Sequence, residues 1–142
     1  MSNNLRPFHL AFPVTDIKET IRWYKSILNC TVGRQDTKWV DFNFYGHQLS
    51  AHLVDQNDSL ISTNTVDSKH IPARHFGVIL NMDDWLNLCS NLKKKKEIIF
   101  LIEPHIRFKH KKGEQSTMFI KDPSGNVLEF KAFKNDSMIF NN

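Results

Sequence analysis

Cysteine is scarce in this chain, with only Cys30 and Cys89 in 142 residues. Two cysteines make no disulfide framework and suit a reducing compartment. Glycine and proline are scarce as well, five of each, which excludes a collagen-like or low-complexity protein. No apolar run approaches the length that spans a bilayer, and the first five residues lack the basic and then apolar start of a secretory signal. A soluble, cytoplasmic protein without a membrane partner is expected. The charge excess is small, +4, and local, in Lys93–Lys96 and Lys109–Lys112. Neither run is interleaved with the aromatic and glycine residues of an RNA-binding sheet, and no helix-turn-helix or zinc-finger spacing occurs, so no nucleic-acid partner is expected.

What the chain does have is apolar content, 40% of its residues, with eleven Phe and three Trp. That is enough for one globular domain with an aromatic core. Strand alternation over Leu5 to Val14 puts Phe8, Leu10, Phe12 and Val14 on one face and His9, Ala11 and Pro13 on the other. Thr15 or Asp16 then caps a helix with Ile17, Ile21, Tyr24 and Leu28 at helical spacing. Short strands follow at Cys30 to Gly33, Trp39 to Tyr45 and Gln48 to Val54. The polar, aperiodic segment 55–73 reads as a linker or covering loop. After it the order restarts: a strand over Arg74 to Leu80, a helix capped by Asp83 or Asp84 with Trp85, Leu88 and Leu92 on one stripe, and a strand over Ile98 to Ile102. A basic loop from Glu103 to Glu114 leads to strands at Gln115 to Lys121 and Val127 to Phe133. The expected organisation is module one at 5–54, a linker at 55–73, module two at 74–133 and a tail at 134–142, all within a single domain.

The fold class predicted is α+β: two βαβββ modules forming a curved mixed sheet around a concavity. His9 and His75 open the first strand of each module on the face away from the core. Setting Gly46 against Gly125, at the last turn of each module, places Ser50 opposite Glu129. Glu129 is a carboxylate in the middle of an apolar strand, costly there without a cationic partner. Two imidazoles and one carboxylate on faces related by a pseudo-two-fold suit a divalent first-row metal, so His9, His75 and Glu129 are the expected ligands.

With those residues in place, the chain resembles the vicinal oxygen chelate superfamily of glyoxalase I, bleomycin- and fosfomycin-resistance proteins and type I extradiol dioxygenases. The resemblance runs from Phe8 to Phe133. It rests on His9-Leu-Ala-Phe-Pro-Val-Thr-Asp16, Trp23-Tyr24 with Leu28 and Cys30, His75-Phe-Gly-Val78 and Asp122-Pro-Ser-Gly-Asn-Val-Leu-Glu129. Within that superfamily it is similar to small bacterial proteins predicted as extradiol-type dioxygenases, whose Trp-x-Asp-Phe-x-Phe-x-Gly-His-Gln-Leu pattern matches Trp39 to Leu49.

The resemblance implies a dioxygenase-like enzyme acting on a small aromatic or vicinal-oxygen substrate through Fe(II) or Mn(II), with Zn(II) or Ni(II) also acceptable to the ligands, and a homodimer. It places the metal on His9, His75 and Glu129, and puts Ser50 in the slot of the carboxylate that is a fourth ligand in glyoxalase I. His52, two residues on, is a fourth ligand, an acid/base group or only a rim residue bonded to water. Tyr45, His105 and His110 are further proton carriers. Two other functions remain open: a lyase, isomerase or thiol transferase using the metal as a Lewis acid, and a metal-free drug-binding protein.

Overall fold

The computed structural model describes residues 5–55, 63–66 and 68–141. They divide into two compact units, Met1–Leu60 and Ile61–Asn142, each built on strand, helix and three strands.

In the first unit β1 (His9–Val14) is followed by α1 (Ile17–Leu28), β2 (Thr31–Gln35), β3 (Trp39–Phe44) and β4 (His47–Leu53). The sheet order is β1-β4-β3-β2, with β1 parallel to β4 and the other pairs antiparallel. Asp16 caps α1 by accepting from the Glu19 amide at 2.9 Å, which satisfies a backbone donor that the first turn leaves free. The buried side of α1 is Thr20, Trp23, Tyr24, Ile27 and Leu28. Ile17 and Ile21 of the expected stripe are only half-buried, so the packed face is rotated toward Trp23 and Ile27. Tyr24, fully buried, stacks on Phe42 at 5.0 Å and meets Phe12 at 5.7 Å and Trp23 at 4.9 Å. This aromatic cluster is the core of the first unit.

The second unit repeats the order with β7 (Phe76–Ile79), α2 (Met82–Lys93), β8 (Phe100–Arg107), β9 (Gln115–Lys121) and β10 (Val127–Phe133), the sheet running β7-β10-β9-β8. Asn81, not Asp83 or Asp84, is the N-cap: its side chain accepts from the Asp84 amide at 2.8 Å, and the two carboxylates fall inside the first turn, where the helix dipole favours them. Trp85, Cys89 and Leu92 are the buried residues of α2, and the Trp85 indole donates to the Phe130 carbonyl at 2.8 Å. Leu88, expected in that stripe, is half-buried.

Two segments differ from the sequence expectation. The basic loop is shorter than predicted, because β8 continues through Arg107 and pairs His105, Ile106 and Arg107 with Thr117, Ser116 and Gln115. Segment 55–73, read as a linker, contains an antiparallel pair, β5 (Thr63–Val66) and β6 (Lys69–Pro72); residues 56–62 and 67 lie outside the described residues. Ile71 of β6 is fully buried in a cluster with Ile102, Phe119 and Val127. The segment belongs to the core of the second unit.

Candidate functional site

The strand register reproduces the internal repeat. In the first unit Ala11 pairs with Ser50; in the second, Gly77 pairs with Glu129. Two residues before Ala11 stands His9, the first residue of β1, and two before Gly77 stands His75, just ahead of β7. Gly77 is required by this pairing: a Cβ there would lie 1.5 Å from the Glu129 carbonyl oxygen.

His75 and Glu129 meet. The imidazole Nε2 is 3.4 Å from Glu129 Oε1, with the two side chains 22% and 11% exposed. His75 Nδ1 is 2.8 Å from the Pro72 carbonyl oxygen, which only accepts, so Nδ1 carries the hydrogen and Nε2 of the neutral ring is a lone pair. Glu129 Oε2 takes a hydrogen bond from the Thr117 hydroxyl at 2.6 Å, and the ring of Phe119 packs edge-on against His75 at 5.3 Å. Nε2 and Oε1 thus face each other, each side chain held from behind, as ligand histidines and carboxylates are held in metal sites. Donors at about 2.0–2.2 Å from one ion are about 3–3.5 Å apart at tetrahedral or octahedral angles, so the pair fits a divalent metal.

The first unit prepares its histidine in the same way. His9 Nδ1 is 2.8 Å from the Gln48 Oε1, again an acceptor, so the His9 Nε2 is a lone pair. Ser50, in the slot corresponding to Glu129, is buried and donates its hydroxyl to Asp41 Oδ1 at 2.6 Å. Asp41 is the carboxylate that sequence reasoning missed. It lines an open groove of about 570 Å³ together with His9, Arg34, His47 and Gln48.

Among the described residues, no group of three or more His, Cys, Asp or Glu side chains is placed to hold one ion. The structure brings together His75 and Glu129; His9 belongs to the first unit, described on its own. The expected proton carriers do not share a location. His52, exposed, pairs with Trp39 at one end of the β3–β4 hairpin. Tyr45, 41% exposed and at φ 52°, forms the turn at the other end, about 20 Å away at about 3.4 Å per residue. Neither lines the groove. His105 lies in β8 opposite Thr117 rather than in a loop, and His110 is in the turn beyond it.

A family model described as the Glyoxalase/Bleomycin resistance protein/Dioxygenase superfamily matches residues 6–130. The chain belongs to that superfamily. Among solved structures it is similar to a glyoxalase/bleomycin resistance protein/dioxygenase from Alicyclobacillus acidocaldarius, at 32% identity and a TM-score of 0.80, covering 99% of this chain and 100% of that one. The fosfomycin resistance protein FosX of Listeria monocytogenes shares the fold at 14% identity and a TM-score of 0.68, covering 98% of this chain and 100% of that one. A point variant of FosX complexed with Mn(II) and 1S,2S-dihydroxypropylphosphonic acid gives 14% identity and a TM-score of 0.64, over 92% and 90% of the two chains. No curated protein matches. Superfamily membership confirms the two βαβββ modules and the resemblance carried by the His9 and His75 strands. No described helix is long and apolar enough to cross a membrane.

Proposed function

We propose that the protein is a metal-dependent enzyme of the dioxygenase-like, extradiol type, acting on a small aromatic or vicinal-oxygen substrate, with His9, His75 and Glu129 as ligands to one divalent ion. The observation that carries this reading is the meeting of two oriented ligand atoms, His75 Nε2 and Glu129 Oε1, at 3.4 Å. An imidazole nitrogen and a carboxylate oxygen at this distance are spaced as two ligands of one divalent ion are. Imidazole and carboxylate suit Fe(II) or Mn(II) and also accept Zn(II) or Ni(II). Such an ion, when bound, supplies Lewis acidity and, if it is iron or manganese, the means of bringing a catecholate and dioxygen to react.

The chain's own residues would do the rest. The Pro72 carbonyl fixes the tautomer and plane of His75, the Thr117 hydroxyl orients Glu129, and Phe119 shields the imidazole from water. His52 serves as the proton carrier, because an imidazole can take a proton at one ring nitrogen and give one from the other. Tyr45, in the hairpin turn, is the weaker candidate. A homodimer in the cytoplasm completes the proposal; two free, buried cysteines suit that compartment.

Metal content of the protein purified without added metal, followed by oxygen uptake with catechols, tests this reading. Iron or manganese and catechol-dependent uptake are expected, and His9→Ala, His75→Ala and Glu129→Ala should fold but lose the metal. Undiminished metal in His75→Ala removes the ligand assignment. Metal without oxygen uptake moves the protein to Lewis-acid chemistry, and absence of metal moves it to metal-free binding. His52→Gln should keep the metal and lose about 10²-fold in turnover.

A further inference from the structure

We infer that Asp41 selects the substrate in the first module: its open carboxylate oxygen accepts a hydroxyl hydrogen from a small hydroxylated organic anion in the groove, while Arg6 and Arg34 hold that ligand's anionic group. The inference rests on the reading above, since His9 lines the same groove, and it specifies the substrate class.

Asp41 is a carboxylate only 8% exposed. Ser50 satisfies Oδ1. The nearest partner of Oδ2 among the described residues is Arg34 Nε at 4.0 Å, beyond hydrogen-bond reach, on a side chain 85% exposed. An exposed ion pair of that kind contributes little, so Oδ2 keeps its accepting capacity at the wall of the groove. Oδ2 can therefore take a donor, and the groove that Asp41 lines is where one can arrive.

The other groove residues decide what kind of molecule brings it. Gln48 gives its amide oxygen to His9, leaving its NH2 group as a donor. His47 Nδ1 accepts the Phe8 amide hydrogen at 2.8 Å, so its Nε2 carries a hydrogen. With Arg6 and Arg34 these make four donors, beside the polar side chains of Thr31 and Asn43, and the acceptors include Asp41 and the His9 Nε2. A simple cation would meet two guanidinium groups, and a simple anion would meet Asp41. A molecule with an anionic end and a hydroxyl end satisfies both, and about 570 Å³ accommodates a single ring.

The test is calorimetric binding of 3,4-dihydroxybenzoate, 3,4-dimethoxybenzoate and catechol, with EDTA present and then with Mn(II). In EDTA the wild type should bind the dihydroxy acid at least about tenfold more tightly than either analogue, the size of a hydrogen bond to a charged acceptor. Asp41→Asn should narrow the dihydroxy-to-dimethoxy ratio to about threefold or less while leaving the preference for a carboxylate over catechol. Arg6→Gln with Arg34→Gln should do the reverse. Ser50→Ala keeps the charge of Asp41 but frees it to turn, so it should narrow the hydroxyl ratio in part, and it carries the test if Asp41→Asn does not fold. No binding of the dihydroxy acid, equal binding of the two benzoates, or a ratio unchanged in Ser50→Ala and in folded Asp41→Asn overturns the inference. If Mn(II) neither binds nor alters any affinity while the Asp41-dependent ratio persists, the metal reading falls and this one stands.

Discussion

In the first module the sheet face that carries His9 lies open as a groove. In the second, Ile71, Ile102, Phe119 and Val127 form a buried cluster beside Glu129 and His75. Both modules fix their histidine through Nδ1 and an oxygen acceptor, but the acceptor is a side-chain amide in one and a backbone carbonyl in the other. Both pair a hydroxyl with a carboxylate across adjacent strands, in opposite senses: Thr117 on β9 donates to Glu129 on β10, whereas Ser50 on β4 donates to Asp41 on β3. Duplication has kept the backbone positions and the direction of the imidazole. The carboxylate's strand and the covering of the face have diverged, and these two features separate a shielded pair of donors from an open groove.

The largest effect is expected where the two modules differ by one methyl group. Ala11 and Gly77 hold corresponding positions beside Ser50 and Glu129. Gly77→Ala would drive a Cβ into the Glu129 backbone, so it should destabilise the protein by about 4 kcal/mol or more and separate His75 from Glu129. Ala11→Gly should cost only about 0.5–1 kcal/mol. Chemical denaturation of both variants gives the comparison, and equal losses would refute it.

That glycine illustrates how much could be seen from the sequence alone. Alternation and turn residues located β9 and β10 to the residue, because both combine an apolar face with the Asp122-Pro-Ser-Gly-Asn turn; Asp122 Oδ1 accepts from the Ser124 and Asn126 amides there. The period that gave the two modules also matched His9 with His75. Periodicity gave no sign of β5 and β6, or of β8 beyond Ile102. Polar residues interrupt any regular alternation there, and cross-strand pairing holds the segments extended. Asp41 and Thr117 were passed over for a related reason. A polar residue on an alternating strand reads as solvent-facing until its partner is known, and the partners are on neighbouring strands. A threonine two residues before Phe119, on the strand preceding Glu129, was the available signal.

Next in size, Ile71→Ala should remove the cover of the second module's face and cost about 2–5 kcal/mol. Its thermal denaturation should show a lowered midpoint, with increased solvent exchange at the Phe119 amide. An unchanged midpoint would mean that the β5–β6 pair contributes nothing to the core.

The smallest effect sharpens the hydroxyl–carboxylate comparison. Thr117→Val keeps the shape and removes the donor to Glu129, so divalent-metal affinity should fall about 10–100-fold, with recovery in Thr117→Ser. Ser50→Ala, whose hydroxyl serves Asp41, should leave metal affinity unchanged. Equal losses in the two variants would erase the distinction between the modules.

The two cysteines fall one to each module, Cys30 next to the end of α1 and Cys89 on α2, and both are free and buried. Burial pushes the Cys30 thiol up to about 12, so almost none of it is the nucleophilic thiolate at neutral pH. An alkylating reagent can then capture Cys30 only when its module opens, and its burial gives Cys89 a similar protection. Labelling rates followed by mass spectrometry under native conditions would time the opening of each half separately. They would show whether the duplicated fold breathes as one body or as two.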